Sequence, residues 1–284
     1  MKIVVVSITS RPRCKSGPRN TYKKIAIYVI TYIAIFLYTF SFKSMDVIES
    51  PSMQAVILAA GKGSRMKGLT EDRPKPMLVV AGKPLLERKI ESLPKEIDEV
   101  ILVVGYRKEQ IISHFGDSFA GKRIRYVDCE PLGTGYALWQ AKELLGEEFL
   151  SMMGDDMYGQ EDILELLKHP WAMSTVTAPG FATAADIDVD DNGYLKSADF
   201  DYEGKKETIR LDTGIYKLQR EIFDTPLVQL KGSGEYALPH TLFNHVKDKG
   251  RPLYVHTAKQ WLKMNNPDDL LKAEEYYGKL QLKS

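Results

Sequence analysis

The sequence predicts an α/β fold in which a doubly wound, mostly parallel sheet is followed by a smaller α+β portion. Short apolar runs alternate with amphipathic stretches from residue 53 onward, which is the rhythm of successive βαβ units. The runs are apolar at consecutive positions, as in strands covered on both faces. The rhythm changes in residues 185–200, which alternate around Asn192-Gly193 and indicate a β-hairpin.

The individual elements follow from the spacing of apolar residues. Runs of strand length are bounded by turn residues, and the helical stretches carry apolar residues three or four positions apart. Pro84 begins the first helical stretch, where a proline is tolerated. The predicted strands are 53–60, 99–106, 123–130, 147–156 and 172–180, and the predicted helices are 84–93, 108–115, 135–145, 162–169, 238–249 and 267–280.

The composition is that of a globular protein in a reducing compartment. The chain has 284 residues, of which 44% are hydrophobic and 27% charged, and this length is enough for one or two domains. A net charge of +1 gives no indication of nucleic-acid binding. Cys14 and Cys129 are the two cysteines, so a disulfide framework is excluded and a cytoplasmic location is expected.

Residues 1–52 form a basic and hydrophobic N-terminal extension that precedes a domain over residues 53–284. The segment 25–42 is 18 residues long and uncharged, which is at the short end for a membrane span. The extension has two interpretations, a membrane anchor or an upstream extension of the reading frame with Met53 as the working start. The second is favoured, because Met53 lies directly before the first predicted strand.

A glycine-rich, basic loop over residues 61–75 follows the first strand. Ligands of open α/β sheets bind beyond the carboxyl ends of the strands, where this loop lies. Gly61 and Gly63 allow backbone amides to approach a ligand, while Arg65 and Lys75 supply positive charge. The loop is therefore predicted to bind a polyanion such as a triphosphate.

The loop matches neither of two familiar phosphate-binding motifs. A dinucleotide fingerprint requires glycine at position 66, which is Met66, and a P-loop requires Gly-Lys-Ser/Thr, whereas Gly68 precedes Leu-Thr. Pro74 and Pro76 prevent the segment from continuing as a helix. They are predicted to hold Lys75 in an extended segment.

The motifs taken together resemble those of the sugar-1-phosphate nucleotidylyltransferases, also called NDP-sugar pyrophosphorylases. The string "AVILAAGKGSRM…LT…RPKPML" over residues 55–78 is similar to the N-terminal signature of that family. The resemblance covers residues 53–277 and implies a Rossmann-like sheet of the nucleotidyltransferase type with an inserted α+β sugar-binding portion. Further similar segments follow in order at 130–138, 152–159, 211–218, 234–243 and 261–273.

The resemblance implies transfer of NMP from an NTP to a sugar-1-phosphate, with release of pyrophosphate and formation of an NDP-sugar. The attacking phosphate oxygen is already anionic, so no general base is required, and catalysis depends on positioning and electrostatics. Arg65 would neutralise the β- and γ-phosphates, and Lys75 would lie between the α-phosphate and the incoming phosphate. These two residues are the predicted catalytic residues.

The resemblance also assigns residues to the substrates and to the cofactor Mg²⁺. Asp155 is the first predicted metal ligand, and Asp156 is predicted to point to the opposite side of its strand. Lys263 stands where many relatives place an acidic ligand, so Asn265 is the second predicted ligand. The predicted nucleotide-binding residues are Ala59, Ala60, Gly61, Lys62, Gly63, Gly133 and Thr134, and the predicted substrate-binding residues are Gly154, Asp212, Gly214 and Glu235.

Two alternative functions are compatible with the sequence. One is a phosphocholine-type cytidylyltransferase, because the Glu-Lys-Pro that usually contacts the sugar phosphate is absent and aromatic residues could form a cation-binding cage. The other is a catalytically weakened regulatory homologue that binds nucleotide or sugar, as Lys263 suggests. An oligomer is compatible with each interpretation. The candidate cage residues are Tyr202, Tyr216, Tyr236 and Trp261.

Overall fold

The computed structural model describes residues 53–179, 186–199 and 207–281, with only the backbone at 280 and 281. The strands are β1 (Met53–Ala59), β2 (Val79–Val80), β3 (Lys83–Pro84), β4 (Ile97–Val104), β5 (Ser118–Phe119), β6 (Lys122–Asp128), β7 (Glu148–Met153), β8 (Met157–Tyr158), β9 (Ala172–Pro179), β10 (Asp186–Val189), β11 (Leu195–Asp199), β12 (Thr208–Gln219), β13 (Tyr254–Thr257) and β14 (Trp261–Leu262). The helices are α1 (Leu85–Ser92), α2 (Lys108–Phe115), α3 (Thr134–Gln140), α4 (Gln160–Leu166), α5 (Leu238–Lys249) and α6 (Pro267–Gln281).

An eight-stranded mixed sheet, in the order β13-β9-β12-β7-β1-β4-β6-β5, forms the centre of the fold. β1 is parallel to β4 and β7, and β6 is parallel to β4. β12 is antiparallel to both β7 and β9. The predicted α/β class with a mostly parallel sheet is confirmed, and the carboxyl ends of β1, β4 and β7 lie at one edge.

Both faces of β1 are buried, which explains the unbroken apolar sequence of this strand. Val56 belongs to one core cluster, with side chains from α3 and α5, whereas Ala55 and Ile57 belong to a cluster on the other face, with side chains from α1. Because alternate side chains of a strand point to opposite faces, both parities must be apolar in a strand covered by two layers.

The predicted hairpin is present as the antiparallel pair β10 and β11. Asp190 accepts hydrogen bonds from the N–H groups of Asn192 at 2.9 Å and Tyr194 at 2.8 Å. A side-chain carboxylate that binds the backbone two residues on is typical of tight turns. The Asn-Gly signal thus identified the turn correctly.

The third predicted helix, 135–145, is shorter than expected. α3 ends at Gln140, and a separate 3₁₀ turn covers Lys142–Leu144. The Arg220 guanidinium donates to the carbonyls of Lys142, at 2.9 Å, and Leu145. These carbonyls would accept from later amides in a continuous helix, so Arg220 supports the interruption.

The last helix covers the outer side of the glycine-rich loop. Ala273 of α6 belongs to a buried cluster that includes Met66 and Leu85. Glu274 accepts a hydrogen bond from the Ala81 N–H at 2.6 Å, and the Arg88 guanidinium lies 4.4 Å from the centre of the Tyr277 ring. The helix therefore joins the loop after β1 to the start of α1.

The N-terminal extension 1–52, including the candidate span 25–42, lies outside the described residues, as does Tyr202. Within the described ranges, no helix has the length and apolar character that crossing a bilayer requires.

Replacing Asp162 by alanine is expected to reduce the free energy of unfolding by about 2–4 kcal/mol. The carboxylate is 4% exposed and accepts from the N–H groups of Lys259 and Gln260 at 3.0 and 2.9 Å, with His256 Nε2 at 2.7 Å. Its removal leaves the partly buried amides of Lys259 and Gln260 without these acceptors. Urea unfolding measures the change, and the exposed neighbour Glu161→Ala is the control. Equal losses in both variants would contradict the prediction.

Candidate functional site

A cavity of about 610 Å³ opens beyond the carboxyl ends of β1 and β7. Its walls come from the glycine-rich loop, the segment that enters α3, the turn after β7 and the segment that enters α5. The predicted site residues that line it are Ala59, Ala60, Gly61, Lys62, Gly63, Arg65, Lys75, Gly133, Thr134, Gly154, Asp155 and Glu235. Asp212, Gly214 and Asn265 do not line this cavity.

The glycine-rich loop is packed directly against the Lys75 segment. Gly63 has a φ of 69°, and a Cβ at this position would lie 2.7 Å from the Cβ of Lys75. A residue with a side chain would therefore be both strained and in collision. Met66, which is fully buried, and the Thr70 hydroxyl, which donates to the Gly63 carbonyl at 3.1 Å, hold the loop in place.

The predicted extended conformation is wrong at Lys75 itself. Pro74 is extended, with a ψ of 147°, but Lys75–Met77 forms a 3₁₀ turn that the Met77 N–H closes on the Pro74 carbonyl at 2.9 Å. Pro76 fits this turn because the N–H that proline lacks is not needed at its second position. The Lys75 side chain is 5% exposed, and its Nζ lies 2.5 Å from Asp155 Oδ2.

Asp155 and Asp156 point in opposite directions, as the sequence predicts. The half-buried Asp155 lines the cavity, whereas the buried Asp156 accepts from Trp261 Nε1 at 3.1 Å and the Met264 N–H at 3.0 Å. Burial, followed by the neighbouring charge of Asp155, raises the pKa of Asp156. Asp156 therefore connects the turn after β7 to the segment around β14, while Asp155 faces the cavity and accepts from Lys75 Nζ at 2.5 Å and from the Asp156 N–H at 3.1 Å.

The described residues are compatible with a metal ion that takes some of its ligands from the phosphates of a bound nucleotide. They contain no group of three His, Cys, Asp or Glu side chains placed to hold a metal by themselves. Mg²⁺ commonly takes one or two protein carboxylates together with substrate phosphates, and Asp155 offers one. The Asn265 N–H donates to Asp269 at 2.8 Å. Asn265 stays a prediction as the second metal ligand.

Two walls of the cavity are hydrogen-bonded to each other through the backbone of Tyr236. Its N–H donates to the Leu132 carbonyl at 2.8 Å, and its carbonyl accepts from the Gly135 N–H at 2.9 Å. The Leu238 N–H donates to the Thr134 hydroxyl at 3.1 Å. The segment that carries the predicted nucleotide-binding residues Gly133 and Thr134 is therefore hydrogen-bonded to the segment that carries Glu235.

Gly133→Ala is expected to lower the free energy of unfolding by about 2–4 kcal/mol. Gly133 has a φ of 105°, and a Cβ would lie 2.4 Å from the Tyr236 carbonyl oxygen, so the two walls must separate. Thermal unfolding and nucleotide titration measure the stability and binding losses. Gly232→Ala is the matched control, since Gly232 has a φ of 91° with open space around it. The same loss in both variants would assign the effect to backbone strain alone.

Asp212 lies behind the cavity wall rather than in it. Its carboxylate accepts from the Gly214 N–H at 2.8 Å and from the Tyr216 hydroxyl. The Tyr158 hydroxyl donates to the Thr213 carbonyl at 2.8 Å in the same buried region. Burial is the main reason that the pKa of Asp212 rises to about 6, and the hydrogen bonds oppose this rise.

Stability is expected to fall as the pH rises through the interval between 3.8 and about 6, because native Asp212 retains its proton where the unfolded chain has lost it. The shift of about two pKa units corresponds to about 3 kcal/mol. Asp212→Asn should remove this contribution and flatten the dependence of the unfolding free energy on pH. Urea unfolding between pH 4 and pH 7.5 measures it, with the exposed Asp268→Asn as control. An unchanged profile in Asp212→Asn would contradict the prediction.

Several residues of the site were not identified from the sequence. Lys89 is 1% exposed and donates to main-chain carbonyls beside Asp155. Its position in the buried stripe of α1, four residues after Leu85, was a usable signal, because a lysine among core positions needs partners. Further lining residues that the sequence did not single out are Leu58, Pro76, Glu130, Ala137, Met153, Leu230 and His240. Tyr236 also lines the cavity, and the sequence assigned it only to a candidate cation cage.

Known proteins resemble this chain over most of the described residues. The Nucleotidyl transferase family matches residues 54–279. The bifunctional protein GlmU of Methanocaldococcus jannaschii is 30% identical over 226 residues, which are 79% of this chain and 54% of that protein, so the chain spans about half of its length. The UTP–glucose-1-phosphate uridylyltransferase AglF of Haloferax volcanii is 31% identical over 239 residues, covering 78% of this chain and 96% of that protein.

A crystal structure of HddC from Yersinia pseudotuberculosis, complexed with GMP-PN, shares the fold. The TM-score is 0.59 at 24% sequence identity, over 79% of this chain and 99% of that one. The resemblance expected from the sequence motifs is thereby confirmed. The chain belongs to the nucleotidyl transferase family, with the sugar-1-phosphate nucleotidylyltransferases as its relatives.

Proposed function

We propose that this protein transfers NMP from an NTP to a sugar-1-phosphate and releases pyrophosphate. The observation that carries the proposal is the single cavity lined by the glycine-rich loop, Lys75, Asp155 and Glu235. It brings a polyanion-binding loop, two opposite charges and a second acidic side chain to one place. The relative AglF, a UTP–glucose-1-phosphate uridylyltransferase, supports a sugar phosphate as the acceptor.

In the proposed reaction, the acceptor phosphate oxygen forms a bond to the α-phosphorus while the bond to the pyrophosphate oxygen breaks. Backbone amides of the glycine-rich loop and the exposed Arg65 bind the β- and γ-phosphates and then the leaving pyrophosphate. Lys75 stabilises charge between the two reacting phosphates. Its present bond to Asp155 positions the ammonium group at the cavity wall before substrates bind.

The proposed cofactor is Mg²⁺, with Asp155 as the protein ligand and Asn265 as the second predicted one. A bound Mg²⁺ would polarise the phosphoryl oxygens and offset their negative charge. Asp155, which accepts from Lys75 in this structure, would hold the metal, and the Lys75 ammonium group would bind the reacting phosphates.

The geometry favours a sugar phosphate over phosphocholine as the acceptor. Tyr216 is 1% exposed and donates its hydroxyl to Asp212, while Trp261 donates to Asp156. Neither aromatic ring lines the cavity, whereas Tyr236 does. A cation cage needs several ring faces around one point, and two of the candidate rings have other roles. Lys263 is exposed and, like Asn265, does not line the cavity.

Pyrophosphate release with Mg²⁺ tests the proposal directly. UTP, GTP, CTP, dTTP and ATP are each combined with glucose-1-phosphate, mannose-1-phosphate, N-acetylglucosamine-1-phosphate and phosphocholine. We expect release with one or more sugar-1-phosphates and formation of the corresponding NDP-sugar, detected by mass spectrometry. Release with phosphocholine alone would favour the cytidylyltransferase, and nucleotide binding without turnover would favour the regulatory homologue.

A further inference from the structure

A fully buried lysine lies directly beneath the turn that carries Asp155. Lys89 of α1 is 1% exposed, and its Nζ donates to the Met153 carbonyl at 2.5 Å and to the Asp156 carbonyl. The same Nζ lies 4.7 Å from the centre of the Tyr158 ring. Two carbonyls and an aromatic face therefore surround the ammonium group, which is how a charge can be held without water.

The two carbonyls that Lys89 binds are those on either side of Gly154 and Asp155. Between them the chain leaves β7 and turns so that Asp155 enters the cavity wall while Asp156 turns towards Trp261 and Met264. The Gly154 N–H also donates to the Leu58 carbonyl at 2.9 Å, which ties the turn to the end of β1. The turn is thus held from β1 at one point and from α1 at two.

The positive charge of Lys89 also offsets negative charge near the turn after β7. Asp155 and Asp156 are adjacent carboxylates, and phosphates would add more negative charge on the cavity side. Burial lowers the pKa of Lys89 to about 8, while the charges of Asp156 and Asp155 raise it and that of Lys75 lowers it. An apolar side chain could fill the same space but would leave both carbonyls without a donor.

We propose that Lys89 is a positioning residue of the nucleotidyl transfer reaction, because it holds the Met153 and Asp156 carbonyls so that Asp155 faces the metal and nucleotide. This inference rests on the proposed function, with Lys89 acting through Asp155 and touching no substrate. A lysine that served only the stability of the fold would leave the metal dependence of the site unchanged.

The test compares Lys89→Met with Lys217→Met, a control whose partner Glu148 lies at the start of β7, whereas Lys89 binds the end of that strand. Lys217 is 0% exposed, and its Nζ lies 2.7 Å from Glu148 Oε2 at the start of β7, away from the cavity. Both variants remove a buried ammonium group, so both should lower the unfolding temperature. Only Lys89→Met should lower kcat by about 10- to 100-fold, as expected for a group that orients a metal ligand.

Binding without turnover provides the second measurement. UTP and GTP are each titrated calorimetrically into wild type and both variants, with and without Mg²⁺, below every unfolding transition. Lys89→Met should lose the gain in nucleotide affinity that Mg²⁺ gives to wild type, Lys217→Met should keep it, and Lys89→Gln, which retains a donor, should recover part of it. If Lys89→Met does not fold, Lys89→Gln serves as the test variant.

Two outcomes would overturn the inference: a Mg²⁺-dependent gain in Lys89→Met and Lys89→Gln equal to that of wild type, or an equal loss in Lys217→Met. Absence of transfer by wild type with every substrate pair would instead remove the proposed function. The titration with Mg²⁺ would then still decide whether Lys89 positions Asp155, so the two failures are distinguishable.

Discussion

Replacing Lys75 by methionine is expected to lower kcat for nucleotidyl transfer by about 10²- to 10³-fold. The reacting phosphates are both anions, and Lys75 is the buried cation whose Nζ lies at the cavity wall, 2.5 Å from Asp155. Methionine keeps the aliphatic part of the side chain, which packs against Gly63, so the loop should remain in place. Steady-state rates with the preferred NTP and sugar-1-phosphate measure the loss.

Lys83→Met is the control for Lys75→Met, because the Lys83 ammonium group pairs at 2.6 Å with Glu91 on the surface. This control should have wild-type kcat and nearly wild-type stability, as exposed ion pairs contribute little. A wild-type kcat in Lys75→Met would remove Lys75 from the catalytic assignment. A collapse of the fold would instead indicate that its buried pair with Asp155 is structural.

Asp155→Asn is expected to lower kcat by more than about 100-fold, because loss of the proposed direct metal ligand should exceed the 10- to 100-fold typical of residues that only orient one. The substitution keeps the shape of the side chain but removes the negative charge from the cavity. The Mg²⁺ concentration for half-maximal rate should rise as well. Rates measured against Mg²⁺ concentration, at saturating nucleotide, separate the two effects.

The neighbouring Asp156→Asn is the matched comparison for Asp155→Asn. Asp156 accepts hydrogen bonds from Trp261 and Met264, so its loss as an acceptor should lower stability and leave the half-maximal Mg²⁺ concentration near that of wild type. If Asp156→Asn changes the Mg²⁺ dependence and Asp155→Asn does not, the roles of the two carboxylates must be exchanged.

The strands could be predicted because they depend on local periodicity: a strand covered on both faces is apolar at every position, as in residues 55–58. The opposite directions of Asp155 and Asp156 were expected from strand alternation, but β7 ends at Met153 and the turn that follows sets them. The antiparallel insertion of β12 between β7 and β9 could not be predicted, because strand pairing depends on contacts between distant segments.

The parts of the candidate site that could be predicted are those whose functional residues are adjacent in the sequence. The glycine-rich loop, Lys75 and Asp155 carry their signal in a few adjacent residues, and all of them line the cavity. Tyr236 contributes through its backbone N–H and carbonyl, and Lys89 contributes through an ammonium group bound to the Met153 and Asp156 carbonyls. These groups come together only in the folded chain. Proline also misled the prediction at Lys75, since a fixed φ is compatible with both an extended segment and a 3₁₀ turn.

The packing of α6 has a consequence for any shortened or fused form of this protein. A chain cut before Pro267 would expose Met66 and Leu85 to water, and each buried side chain of this kind contributes about 1.5–3 kcal/mol. Met66, which anchors the glycine-rich loop, would then lose its apolar surroundings. Tags and linkers should therefore follow Gln281, so that the final helix continues to cover Met66 and Leu85.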